Sequence, residues 1–333
     1  MGFGYRIFFT ERQRNRVICW YPDQGRAQVM AGDGATGPGR DQQLMSPYGL
    51  AMDAAGHLVI ADKMHHRLVR LTSLLTPVGS ASLGRLCTQL QPLMNPLRSD
   101  FPRTPTGVCR STGSSFLVTY SDDYCIVRLD ELGTSSIVLG APAATGLVFP
   151  GYMPHIPEAH IRQTLLNQPT GVVQGPDGAI YFIERGFQAV RVYRPGQGIS
   201  GVATVAKPGP TGSLPDAMPL PQFRCRYPTG LALLPTGELL ISDSHHHAVV
   251  QIDLARQTAQ CIYRSQKSPT GGAPAAVTVG PDGTLWVLDP GDGLVVGLSR
   301  GSGQWQRVAS RCSTLVEGEE LCGSNEGAGI LCG

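Results

Sequence analysis

The side chains able to do chemistry in this 333-residue chain come in small, separated groups. Two groups are histidines, His65-His66 and His245-His246-His247, whose imidazoles are good zinc ligands. A third group sets Glu158 between His155 and His160. Arginines recur in short polar stretches, at Arg12, Arg14, Arg16, Arg67 and Arg185. An acidic residue closes each of several apolar runs: Glu11, Asp62, Glu184, Asp243 and Asp289. No nucleophile elbow, phosphate loop or dinucleotide fingerprint is present. The nine cysteines are scattered and lack a Cys-x-x-Cys pair, which argues against a zinc site or a disulfide framework. They read as small buried apolar residues of a reducing compartment, so a soluble intracellular location is expected.

What positions these groups is a repeat. SPYGLAMDAAGHLVIADKMHHRLVRL (46–71) returns as TPTGVCRSTGSSFLVTYSDDYCIVRL (104–129), QPTGVVQGPDGAIYFIERGFQAVRVY (168–193), YPTGLALLPTGELLISDSHHHAVVQI (227–252) and APAAVTVGPDGTLWVLDPGDGLVVGL (273–298). A truncated copy, YRIFFTERQRNRVICWY (5–21), opens the chain. Corresponding positions lie 46 to 64 residues apart, a period that suits one four-stranded sheet per unit. Each unit begins with a Pro-led apolar run, and Pro, which cannot donate to a ladder, belongs at a strand's start. A turn follows, Asp-Gly at 177–178 and 282–283, where glycine accepts a positive φ. A second run rich in β-branched and aromatic residues leads through a short polar turn to a third. A fourth, less regular strand is expected in AQVMAG, SIVLG, GVATVA, AQCIYR and QRVAS. The recurrent acid is expected to accept hydrogen bonds from backbone N–H groups of the turn after it.

The pattern resembles the NHL repeat: P-x-G-(I/L/V)-A, then G-x-L-x-V-(A/S)-D, then N-H-R-(I/V/L). Residues 46–71 match best, through Pro47, Gly49, Leu50, Ala51, Asp53, Gly56, Leu58, Ile60, Asp62, His66 and Arg67. The resemblance implies an all-β chain, a six-bladed β-propeller of four-stranded antiparallel blades, with residues 1–333 as a single propeller domain. The first copy lacks its Pro-x-Gly strand. The tail, through EGAGILCG, is therefore expected to complete the first blade.

That architecture sorts the chemistry. The two histidine groups fall in units three steps apart in a ring of six and so cannot share one ion, whose bonds are about 2 Å. Zinc-dependent amidating lyases of this fold carry ligand histidines just after the inner-strand Pro. Here those positions hold Tyr48, Thr106, Thr170, Thr229 and Ala275. A calcium-dependent hydrolase resembling gluconolactonase or strictosidine synthase would need polar ligands at the axis, with Glu158, His155 and His160 reaching over a face. Calcium or zinc is expected only under such an enzyme reading; otherwise no cofactor is expected. RNA binding would need a basic face, but Glu11, Asp122, Asp123, Asp243, Asp289 and Asp292 share the same turns, and the net charge is only +2. No apolar run is long enough for a transmembrane helix, and the N-terminal stretch lacks the apolar core of a signal peptide.

The reading that results is a protein-interaction scaffold with another protein as partner, since binding residues gather on loops held by a rigid scaffold. The candidate contact residues lie in the turns between second and third strands, which should share one face: Arg14, Arg16, His65, His66, Arg67, Tyr124, Arg185, Phe187, His245, His246 and His247. Arg16 and Arg67 are the expected anchors.

Overall fold

The computed structural model describes residues 6–32, 43–72, 90–93, 104–141, 152–203, 214–265, 273–290, 294–301, 304–310 and 330–332. Cys87, Asp292, Cys312 and Cys322 lie outside this set. The chain forms six antiparallel sheets arranged as the blades of a propeller. Blade 2, from the axis outward, is Pro47–Met52, Leu58–Asp62, Arg67–Leu71 and Leu90–Pro92. Blade 3 is Pro105–Arg110, Ser115–Tyr120, Cys125–Asp130 and Ser135–Gly140. Blade 6 is Ala276–Val279, Leu285–Asp289, Leu294–Gly301 and Gln304–Ser310. Blade 1 combines both ends of the chain. Ile330–Cys332 pairs antiparallel with Ile7–Glu11, followed by Arg16–Tyr21 and Arg26–Ala31.

Blades 4 and 5 carry a fifth strand that the sequence pattern did not indicate. Blade 4 is Pro169–Gln174, Ile180–Glu184, Ala189–Arg194 and Gly198–Ala203, with His155–Ile156 added outside. Blade 5 is Pro228–Leu233, Leu239–Asp243, Ala248–Asp253 and Thr258–Arg264, with Ala217–Pro219 added outside. The long connections before these blades turn back along the outer strand and cover an edge whose N–H and C=O groups would otherwise stay unpaired. Two- and three-residue segments are too short to show a period of two, which is why they escape a reading of the sequence.

Every second strand is apolar on both faces, because each face meets a different neighbour. In blade 2, Leu58 and Ile60 pack toward blade 1, while Val59 and Ala61 pack toward blade 3. In blade 5, Leu239 and Ile241 face blade 4 and Leu240 faces blade 6. One apolar cluster fills each of the six joints among the described residues. At the joint between blades 6 and 1, Trp20 and Trp286 meet edge to face at 5.4 Å. Such a pair adds about 0.5–1.5 kcal/mol beyond its buried area.

The glycine of the Pro-x-Gly signature serves this packing. A Cβ on Gly107 would lie 1.9 Å from the Thr170 carbonyl oxygen of blade 4, and one on Gly49 would lie 2.6 Å from that of Thr106 in blade 3. Neighbouring inner strands therefore touch backbone to backbone. Threonine hydroxyls bond across the same joints, from Thr10 to the Tyr48 carbonyl at 3.1 Å, Thr106 to that of Pro169 at 3.2 Å, and Thr229 to that of Pro274 at 3.2 Å.

Gly107→Ala is expected to destabilise the propeller by about 1–3 kcal/mol or more, the range for an overpacked core. Gly56→Ala puts its Cβ in open space at a φ of +82° and costs about 1–2 kcal/mol, from backbone conformation alone. Urea unfolding of the two variants measures the difference.

Candidate binding face

The turns between second and third strands form the corners of the blades on one face. The recurrent acids anchor them: Asp62, Glu184, Asp243 and Asp289 are at most 1% exposed. At Asp62, Glu184 and Asp243 the backbone N–H donors lie in the connection entering the blade and not, as the sequence suggested, in the turn that follows. Asp62 accepts the N–H of Met45 at 2.7 Å, Glu184 that of Asn167 at 2.8 Å, and Asp243 that of Arg226 at 2.8 Å. Each donor lies 17 residues earlier, in the connection entering the same blade. The turn amides bond that connection too. Met64 N–H donates to the Met45 carbonyl, Gly186 to Asn167 and His245 to Arg226, at 3.0 to 3.1 Å. The entering residue is thus held at both its N–H and its C=O. Blade 3 has Tyr120 in place of the acid, and there Asp123 accepts the Thr104 N–H at 3.2 Å.

The carboxylates also meet side chains: Asp289 accepts the Tyr263 hydroxyl at 2.7 Å, and the other three meet a cation or an imidazole. Arg67 Nε donates to Asp62 at 2.9 Å, and Arg191 Nη1 donates to Glu184 at 3.0 Å. His65 and His246 each place Nδ1 2.8 Å from Asp62 and Asp243, respectively. Burial pushes the Glu184 carboxyl above its usual range, against the pull of Arg191. Each turn is a short 3₁₀ segment in blades 1, 2, 4 and 5, closed by a left-handed residue: Asn15, His66, Gln188 and His247, at φ of 48° to 56°. Asn and His are among the residues enriched there. Tyr124 takes the same conformation in blade 3.

The predicted contact residues therefore divide. Arg67 is 8% exposed and spans Asp62 and the Gln43 carbonyl, which makes it a corner strut rather than an anchor. Arg16 donates to Glu11, and Arg14 lies 3.8 Å from the same carboxylate. His65, His66, His246, His247 and Tyr124 all take part in corner geometry. Arg185, Phe187 and His245 are drawn instead into ring contacts at blades 4 and 5. The Arg185 guanidinium lies 4.9 Å from the centre of the Tyr227 ring and donates to its hydroxyl. Tyr227 stacks on His245 at 4.7 Å and 15°. Phe187 meets Tyr152 edge to face at 5.7 Å. At blades 1 and 2, Arg12 lies over Tyr48 at 4.6 Å, and Lys63 lies 3.9 Å from Asp122 of blade 3.

Tyr227, Tyr48, Tyr152, Arg226 and Lys63 were not among the residues singled out by sequence. A tyrosine beside the inner-strand Pro, as in both Tyr48 and Tyr227, is a signal that could have found two of them. Burial, with the Arg226 charge next, lowers the His245 pKa below the ordinary histidine value.

The axis is of a different character. A cavity of about 410 Å³ runs between the inner strands, lined by residues such as Leu50, Val108, Val172, Leu231 and Val277, with Arg110 among them. Glu158 and His155 lie away from it, on the outer edge of blade 4. Glu158 accepts the Tyr193 hydroxyl at 3.0 Å, and His155 Nδ1 lies 3.3 Å from Ser200 Oγ. Among the described residues no three His, Cys, Asp or Glu side chains gather as metal ligands.

Comparison with known proteins agrees with the repeat reading. The NHL repeat model matches residues 226–252, the copy that enters and builds blade 5. The chain is a six-bladed β-propeller that carries an NHL repeat. Teneurin-1 of Caenorhabditis elegans is 24% identical over 238 residues, which cover 66% of this chain and 9% of that protein. A chain in the crystal structure of a nidogen/laminin complex superposes with a TM-score of 0.64 at 13% identity, covering 98% of both chains. Virginiamycin B lyase from Staphylococcus aureus gives 0.54 at 14% identity, covering 91% of this chain and 80% of that one. A gluconolactonase from Xanthomonas campestris gives 0.53 at 16% identity, covering 91% and 84%. At these identities the structural likenesses establish the fold. No helix among the described residues is long and apolar enough to cross a membrane.

Two outcomes are expected for this propeller. Asp243→Ala leaves the Arg226 amide without its acceptor and costs about 1.5–3 kcal/mol in urea unfolding, the range for hydrogen bonds to a charged group. In an NMR titration His245 titrates below an ordinary histidine, and Arg226→Gln moves its midpoint upward by removing a nearby positive charge.

Proposed function

We propose that this chain is a protein-binding propeller module and that the corner face is its docking surface. The observation that carries this reading is the gathering of Arg185, Tyr227, His245, Phe187 and Tyr152 at the corners of blades 4 and 5. Tyrosine and arginine are the side chains most often responsible for binding energy at protein interfaces. Here they stand on backbone fixed by buried carboxylates, so little ordering cost remains to be met on binding. The likeness to a chain of a nidogen/laminin complex, a complex of two proteins, supports the same reading. No cofactor enters the proposed role.

The test uses immobilised protein and an extract of the source tissue. Proteins retained by the wild-type chain are expected to be lost at least tenfold with Arg185→Glu. They are expected to stay with Arg256→Glu, whose side chain is 78% exposed on the opposite face. Equal loss with both variants, or calcium-dependent lactone hydrolysis by the purified chain, overturns the proposal.

A further inference from the structure

We infer that the axial cavity binds a free aliphatic monocarboxylate, its chain lying among the inner strands and its carboxylate on Arg110 at the mouth away from the corners. The inference stands apart from the corner face and its protein partner. The first observation is the order of the lining. Equivalent positions of the repeat stand at one height around the axis, so the inner strands present side chains in levels. Nearest the corners the lining carries hydroxyls, at Tyr48, Thr170 and Thr229. A level of glycine and alanine follows, as at Gly49 and Ala276. The next level among the described residues is aliphatic throughout: Leu50, Val108, Val172, Leu231 and Val277. The lining then passes Thr278 and Cys109 and ends at Met52, Arg110, Leu233 and Val279. Three steps of about 3.3 Å along a strand separate the glycine level from that mouth, a stretch of roughly 10 Å.

The second observation is charge. Arg110 is the charged side chain among the described residues that line the cavity. It is exposed and has no hydrogen-bond or ion-pair partner among the described residues. It pairs with Phe116 at the end of its strand remote from Pro105 and Tyr120, which puts it on the face away from the corners. The acids in the turns between first and second strands on that face stand outside the lining and are bonded locally. Asp53 accepts the His57 N–H, Asp177 that of Ala179 and Asp282 that of Thr284, while Glu238 accepts the Gln251 side-chain amide. Burial pushes the Cys109 thiol up to about 12, so it stays neutral and brings no competing charge.

These two observations define the ligand. A cation at the rim of a mainly aliphatic cavity suits a molecule that is apolar along its length and anionic at one end. A guanidinium meets a carboxylate through two parallel N–H groups. An ammonium end would be repelled by Arg110. Each methylene taken out of water adds to affinity, so binding grows with chain length while the apolar stretch is being filled.

The experiment is isothermal titration calorimetry of hexanoate, decanoate and decyltrimethylammonium, each below its micelle concentration, against the full chain. Decanoate is expected to bind with one molecule per chain, at least tenfold more tightly than hexanoate and at least tenfold more tightly than the decyl cation. Arg110→Gln is expected to weaken decanoate about three- to fivefold, as for an ion pair open to water on one side. Arg110→Glu weakens it at least tenfold, and Arg226→Glu, on the corner face, leaves it within twofold; circular dichroism confirms that the variants fold. Failure of decanoate to bind, equal affinity for hexanoate or for the decyl cation, indifference to Arg110→Glu, or an equal loss with Arg226→Glu overturns the inference.

Discussion

A small twisted sheet with apolar side chains on both faces cannot rest in water, and everything else in this molecule follows from how that problem is met. The second strand of each blade sends alternate residues to opposite joints, as Leu58 and Val59 do in blade 2. A blade therefore needs two neighbours, and a row of blades needs to close. Burial of a Leu, Ile or Phe side chain contributes roughly 1.5–3 kcal/mol, so a ring that leaves one joint open would forgo a whole cluster. The pairing of Ile330–Cys332 with Ile7–Phe9 places a strand in the inner position of blade 1, where the first repeat has none of its own. The close approach of inner strands at Gly49 and Gly107 belongs to the same constraint, because a ring of six leaves the least room at its axis.

Once the faces are buried, charged side chains can stand only at the corners, the outer edges and the axis. Most of the corner charges are spent on structure. A carboxylate at the end of a second strand is taken out of water, which is tolerable only with hydrogen bonds to both oxygens and a cation close by. Asp62 meets that requirement with the Met45 amide, Arg67 and His65. Glu184 meets it with Asn167 and Arg191. The histidines and arginines that look most chemical in the sequence are thus largely explained by the corners. His65 and His246 each hold the carboxylate of their own blade through Nδ1.

What is left over is informative. At blades 4 and 5 the carboxylates are internal while Arg226, Arg185 and His245 reach the surface around Tyr227. The axial cavity is lined by aliphatic side chains together with Tyr48, Thr170, Thr229, Thr278 and Arg110. Basic and aromatic side chains thus gather at the rim, while the joints between blades hold the ring together. Solved neighbours named as lyases and a gluconolactonase share the ring at 14–16% identity, and function on such a scaffold is set by the residues placed on it.

The sequence by itself determined the strands, the turns between them and the number of blades. Those are local matters: runs of β-branched residues, Pro at a strand start, Gly178 at a positive φ, and a corner residue such as His66 or His247 in the left-handed conformation. Repetition then made six weak patterns into one strong one. The acids were legible as structural, but not their partners, since Met45 and Asp62 meet across a folded hairpin rather than within a turn. The ring contacts were beyond its reach altogether. Arg185 and Tyr227 are 42 residues apart and belong to different blades. The short edge strands His155–Ile156 and Ala217–Pro219 carry no period of their own. Tertiary structure alone decided which cations stay inside the corners and which reach the surface, because that depends on how each blade is rotated against the next, and the rotation is set by packing at the joints rather than by any single repeat.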